Sequence, residues 1–528
     1  MHIPLKRLKS NGFTIVELLI VIVVIGILAA LTIVAYNGVQ KNVIDKAIMS
    51  DADSIAGPET RYSVNNSTGG KSWYSGTGVD ADLQFTGTPG NVIDVVATST
   101  DYCIRVFNPS AASYKTIYTA YKKESNPGVC LTIYPSDAAQ PVNGSPWAKI
   151  AVGGGYTCGI KASGYGVCWG QGSYGVLGNG TLDNSNTQVA ISTAGVLSGK
   201  TFKSISSTDY MSCGIASDDQ GYCWGRNVHG NLGNNSMIDS NVPVAVYTSG
   251  VLSGKILTQI QPSSLGDSVC SLASDNLVYC WGFDTDTGNL GNNLMNDTSV
   301  PSPLYMGGIL SGKTIKSLSF GQNGCVIASD SLAYCWGFNV NGGRGNNTTT
   351  DSLVPTAVYT GGVLSGKTIK QITSGYGTSC VIASDNLAYC WGTGSYGELG
   401  NNTTGGFSSV AVAVNTTGVL SGKTIKYIAS QWDTSCVIAS DNQVYCWGYN
   451  GFGQLGNGTK TDSPVPVAVS TSGVMSGKSI ISLSVGSGHV CATSSDNQTF
   501  CWGSDTAGEL GDSGTTFSSV PIRLFNPI

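Results

Sequence analysis

Residues 380–392 read CVIASDNLAYCWG. Two runs with strand-forming character, CVIAS and LAYCWG, flank Ser384-Asp385-Asn386, a turn sequence. A three-residue hairpin loop needs its last residue in the left-handed region, and Asn tolerates that conformation. With this turn, Cys380 and Cys390 lie directly opposite each other across the hairpin, where their Cβ atoms approach closely enough to bond. Working outward, TIKQITS before the hairpin reads as a first strand and GYGT as the loop that follows it. LAYCWG is the third strand, and a long polar loop leads to a fourth, SVAVAV. Residues 367–420 therefore describe one small antiparallel sheet.

The unit recurs. First cysteines stand at Cys158, Cys213, Cys270, Cys325, Cys380, Cys436 and Cys491, about every 55 residues. Each has a partner ten positions on, at Cys168, Cys223, Cys280, Cys335, Cys390, Cys446 and Cys501, followed directly by Trp-Gly. The left-handed hairpin position is Gly164, Asp219, Asn276, Asn386, Asn442 and Asn497, with Ser331 the exception. Seven such units predict a mostly β fold, a seven-bladed β-propeller over 147–528, with seven disulfides inside blades. A metal site is a poor alternative, because nine intervening residues are not a chelating spacing and the chain has 3 His. The recurring string WG-x-N-x-x-G-x-L-G-N, as from Trp224 to Asn234, resembles the repeat of regulator-of-chromosome-condensation propellers. Two departures stand out: an extra residue before Gly288, and Arg344 where other units carry Leu or an equivalent. The resemblance implies the fold; the nuclear role of the eponymous protein does not follow, since one propeller serves unrelated functions.

Composition agrees with an exported protein. Of 528 residues only 11% are charged, against about 25% in an average soluble domain. The 41% hydrophobic content excludes a disordered chain, and the 71 Gly follow no triplet. A net charge of -5 gives no footprint for nucleic acid, so no nucleic-acid partner is expected. The even count of 16 Cys points to oxidising surroundings.

Residues 1–12 are basic, with Lys6, Arg7 and Lys9, and end in Asn11-Gly12. Residues 13–35, FTIVELLIVIVVIGILAALTIVA, can span a bilayer as a helix, and Glu17 is their one charge. The basic flank predicts a cytoplasmic N-terminus, and helical character runs on until Gly57-Pro58. A carboxylate inside a membrane helix demands a partner. The arrangement resembles type IV pilins and pseudopilins, with Gly12, Phe13 and Glu17 in the motif positions. The resemblance implies cleavage by prepilin peptidase between Gly12 and Phe13 and methylation of the Phe13 amine. It also implies that Glu17 pairs with the terminal amine of a neighbouring pilin subunit during assembly from the inner membrane. The expected organisation is a leader over 1–12, a transmembrane and assembly helix over 13–57 and a pilin-like head over 58–134. A linker over 135–146 leads to the propeller. Strand-like runs VIDVVA, YCIRVF and YKTIYTAY mark the head, which Cys103 and Cys130 are expected to close.

In a meander, the hairpin turns and the connections between blades share one face. That face repeats GVLSGK or a close variant, placing Lys200, Lys255, Lys313, Lys367, Lys423 and Lys478 on a rim. Asp218, Asp275, Asp330, Asp385, Asp441 and Asp496 fall beside them, so a solvated rim of alternating charge is expected rather than an anion site. The other face varies from blade to blade, and Tyr156, Tyr210, Tyr376, Tyr396, Trp432, Phe452 and His489 are its candidate recognition residues. Aromatic side chains among small polar residues give contact area at low entropic cost. The faint calcium pattern at Asp284 lacks a downstream bidentate Glu. His229 and His489 are isolated, so no catalytic set is visible and neither cofactor nor metal is expected. These readings converge on a minor, tip-located type IV pilin on the bacterial surface, whose extracellular propeller adheres to a protein or glycan. The rivals are a pseudopilin of a type II-like secretion machine with a cargo-binding propeller, and a pilin-anchored secreted inhibitor or enzyme.

Overall fold

The computed structural model describes residues 147–524, apart from 285–286 and 513, together with the backbone of short strands between Lys71 and Ala120. The chain divides into two compact units, Met1–Asn143 (with Ile528) and Gly144–Pro527. In the first, Lys71–Gly76, Val92–Ala97, Tyr102–Phe107 and Ile117–Ala120 form a four-stranded antiparallel sheet in that order. Gly12, Phe13, Glu17, the segment 13–57 and the pairing of Cys103 with Cys130 lie outside the described residues. Among the described residues no helix is long and apolar enough to cross a membrane.

The second unit is a ring of seven four-stranded antiparallel sheets, each built from consecutive strands. In the fifth blade these are Ile369–Ser374, Thr378–Ala383, Ala388–Thr393 and Phe407–Ala413. The second strand is buried along its whole length and the fourth is half exposed, which places the fourth at the outer edge. First strands of adjacent blades pack on one another as the inner ring. They are tied by side chains: Gln259 Oε1 accepts from the Leu318 N–H at 2.9 Å and Ser319 Oγ from the Ser374 N–H at 2.8 Å.

The hairpin register pairs each first cysteine with its second, as Cys380 with Cys390. All seven propeller pairs are bonded, with Cα atoms 4.0 to 4.1 Å apart. Such close approach is that of a non-hydrogen-bonded antiparallel pair. The turn geometry holds even where the residue is unusual: Ser331 has φ 62°, the same as Asn386.

One bond repeats at every blade junction. The buried indole of each Trp-Gly donates to the carbonyl before the Leu position of the preceding blade's G-x-L-G turn. Trp224 reaches the Val176 carbonyl at 2.8 Å, Trp391 that of Gly343 at 2.8 Å and Trp447 that of Glu398 at 2.7 Å. The last glycine of the turn must be left-handed and must lack a Cβ. Gly345 has φ +64°, and a Cβ there would stand 2.6 Å from the Trp391 Nε1. The ring closes by the same device, not by exchanging a strand. Trp169 of the first blade donates to the Glu509 carbonyl of the seventh at 2.9 Å, while Trp147, Ile150 and Val152 pack against Leu510 and Leu524.

Candidate functional site

On the hairpin face each rim lysine is neutralised locally. Lys200 Nζ lies 2.8 Å from Asp218 Oδ2 and donates to the Tyr222 hydroxyl at 2.6 Å; that hydroxyl donates to Asp218 at 2.7 Å. Lys255, Asp275 and Tyr279 repeat the triad. In the fourth blade Tyr334 again donates to Asp330, while Lys313 lies over the tyrosine ring with a looser ion pair to Asp330 of 3.8 Å. In the seventh blade Lys478 pairs with Asp496 at 2.6 Å, and Phe500 replaces the tyrosine. Partial burial acts to raise the Asp218 and Asp275 carboxyls, but hydrogen bonds from the lysine and tyrosine outweigh it and hold both below the ordinary carboxylate value. The lysines are engaged with their own blades, which leaves no free ring of cations among the described residues.

The opposite face carries the long loops. Two expected surface residues prove to be core. Tyr156 and His489 are fully buried. Both stand two residues before their cysteine, where they pair in the ladder with Gly170 and Gly503 and point into a blade junction. The Tyr156 hydroxyl donates to the Met211 carbonyl at 2.7 Å. His489 Nε2 is 2.7 Å from Thr157 Oγ1 across the closing seam, and burial lowers its ring to about 4, so it is neutral there. Tyr210, Tyr376 and Trp432 stand three or four residues before their cysteines and belong to loops, partly exposed.

These loop residues meet at blade junctions. Tyr376 and Trp432 stack with ring centroids 4.5 Å apart and planes at 19°. Trp432 adopts φ 46° and its Nε1 donates to Asp209 Oδ1 of the second blade at 3.2 Å. The neighbouring Gln431 Oε1 accepts from the Ser264 hydroxyl of the third blade at 3.1 Å. The sixth blade thus reaches non-adjacent blades across the inner ring. Tyr396 and Phe452, both exposed, flank Tyr449 at 5.1 and 6.1 Å. Tyr210 meets Tyr174 edge-on at 5.6 Å, and the Arg226 guanidinium lies over both rings while paired with Asp267 at 3.1 Å. Asp209, Tyr449 and Arg226 were not singled out by the sequence, because their importance rests on neighbours in other blades.

Carboxylates on this face behave opposite to those on the rim. Burial pushes Asp209 up to about 7, against a lowering hydrogen bond from Trp432. Burial likewise raises Asp284, Glu398 and Asp505 to about 7. Among the described residues no group of three or more His, Cys, Asp or Glu side chains is placed to hold a metal ion.

The Regulator of chromosome condensation (RCC1) repeat matches residues 369–398, 425–454 and 441–493, and the Prokaryotic N-terminal methylation motif matches residues 7–33. The chain joins a pilin-type methylation motif to an RCC1-type propeller. The RCC1-type region is similar to the Ultraviolet-B receptor UVR8 of Arabidopsis thaliana, 28% identical over 379 residues, covering 71% of this chain and 81% of that protein. It is 26% identical over 315 residues to the human E3 ubiquitin-protein ligase HERC2, covering 59% of this chain but only 6% of that protein. Prp20p of Saccharomyces cerevisiae superposes with a TM-score of 0.59 at 18% identity, covering 68% of this chain and 85% of that one. At that identity the likeness speaks for the fold alone. The methylation motif implies processing by prepilin peptidase and assembly with other pilins.

Proposed function

We propose that this protein is a minor, tip-located type IV pilin that displays its propeller outside the cell as an adhesion or recognition module, acting by binding and not by catalysis. The observation that carries the reading is the asymmetry of the propeller in a chain that also carries a methylation motif. One face repeats a self-neutralised Lys-Asp pattern, and the other changes from blade to blade and gathers aromatic side chains. Seven disulfides suit a ring held outside the cell. Low copy number follows from size: residues 147–528 are nearly three times as many as residues 1–134, a load hard to repeat at every position of a packed fibre.

The test is to label the propeller on native pili and to delete residues 147–528. Label confined to pilus ends, with attachment lost and pili still assembled after the deletion, is the expected result. Label along the whole shaft would overturn the tip position, and undiminished attachment would overturn the recognition role.

A further inference from the structure

The first and fifth blades carry the same four residues after Trp-Gly-x: Gly172-Ser173-Tyr174-Gly175 and Gly394-Ser395-Tyr396-Gly397. Their tyrosines nevertheless adopt different conformations. Tyr174 has φ 60° and ψ 4°, whereas Tyr396 is absent from the left-handed region. The difference traces to the residue two positions on. In four blades that residue's side chain accepts the backbone N–H at the tyrosine position: Asn231 from His229, Glu398 from Tyr396, Gln454 from Phe452 and Glu509 from Ala507, at 2.7 to 3.0 Å. In the first blade Val176 stands there and has no acceptor. The fourth blade also lacks one at Gly343, but there Asn341 is anchored through its own side chain to Thr393 Oγ1 at 3.2 Å. Tyr174 is therefore released from the usual tether and held by the ring of Tyr210 and the guanidinium of Arg226. A non-glycine residue in this region is strained, and such strain is often retained where it shapes a site.

A groove of about 740 Å³ lies between the first and second blades, and Tyr174 lines it. Tyr174, Leu182 and Tyr210 form its apolar wall, and Gln171, Ser173, Asp239 and Asn241 supply polar groups. Arg226, beside the groove, is paired with Asp267 and offers no free cation to an anionic ligand, and Asp239 is the one charged side chain in the lining. Asp239 Oδ1 accepts the Asn227 N–H at 2.7 Å, which fixes that carboxylate in the groove lining. Planar amide and carboxylate groups match adjacent hydroxyls, and phenol rings match the C–H face of a pyranose.

We propose that this groove binds a neutral saccharide, with a pyranose ring against Tyr174 and Tyr210 and its hydroxyls held by Gln171, Asp239 and Asn241. The proposal deepens, and rests on, the reading of the propeller as a recognition module.

The test uses the full-length chain in detergent micelles with glucose, galactose, mannose and N-acetylglucosamine as separate probes, read by saturation-transfer NMR. Transfer to ring protons of at least one sugar is expected, with affinity about tenfold weaker in Tyr174→Ala. Val176→Gln, which restores the tether used by Gln454, is expected to weaken binding similarly. Val474→Ala, exposed on the opposite, hairpin face, keeps wild-type binding, and thermal unfolding of each variant reports whether its fold is intact. No transfer from any of these sugars, or transfer unchanged in Tyr174→Ala, overturns the proposal. Loss of attachment on deleting the propeller, combined with no sugar binding, leaves the recognition role standing and removes only the saccharide. Attachment that survives the deletion removes the recognition role itself.

Discussion

The two faces of the propeller are made by the same seven hairpin units, yet they treat charge in opposite ways. On the hairpin face, Asp218, Asp275, Asp441 and Asp496 each have a lysine within 3.6 Å, and all four are held below the ordinary carboxylate value. On the loop face, Asp209, Asp284, Glu398 and Asp505 are raised to about 7 by burial, with no lysine or arginine among the causes. A rim whose charges are satisfied within each blade has little left with which to attract a ligand. A face that buries carboxylates beside aromatic rings in different combinations can discriminate. Repetition fixes the framework, and departures from repetition make sites.

The framework common to both faces should respond most strongly. Trp447→Ala removes a fully buried indole and its bond to the Glu398 carbonyl, and is expected to cost about 3–5 kcal/mol in denaturant unfolding. A much smaller loss would mean that the junction indoles do not hold the ring. Replacing Cys380 and Cys390 together by Ser is expected to cost about 2–4 kcal/mol, measured the same way under oxidising conditions.

The faces themselves separate by pH. A carboxyl raised to about 7 in the folded protein, and near 3.8 when unfolded, binds more protons in the native state between those values. Stability from the loop face therefore falls as pH rises through that window and is level above it. His489, lowered to about 4 from 6.5, acts in the opposite direction and loses stability as pH falls between those values. Rim carboxylates are lowered, so their contribution is present above the unfolded value and is lost as pH falls below it. Thermal unfolding scanned over pH should show Asp209→Asn flattening the loss toward neutral pH, while Asp218→Asn changes only the acid limb. If both substitutions altered the same limb, the contrast between the faces would collapse. The smallest effect is expected for Lys313→Ala. Its ion pair is 3.8 Å long and partly exposed, so the change should stay within about 1 kcal/mol in denaturant unfolding.

The hairpins were legible in the sequence because a bonded cysteine pair, a left-handed turn residue and Trp-Gly recur with one local geometry. Even Ser331, the odd residue at the turn, follows the backbone its neighbours impose. The loop face was read less well. Counting back from the cysteine grouped Tyr156 and His489 with Tyr210, Tyr376 and Trp432, although a shift of one or two positions separates a strand residue aimed into a junction from a loop residue outside it. The tether missing at Val176 became visible only beside its equivalents Asn231, Glu398, Gln454 and Glu509.

By itself the sequence determined the blade count, the disulfide register, the charge-paired rim and the methylation motif, because each rests on contacts between residues close in the chain or on internal repetition. Tertiary structure alone decided how the ring closes, through Trp169 and the Glu509 carbonyl. It also decided that Trp432 reaches Asp209 and that Tyr174 lines a groove with Tyr210. Those contacts join residues from different blades, and local periodicity carries no information about which loops the closed ring brings together.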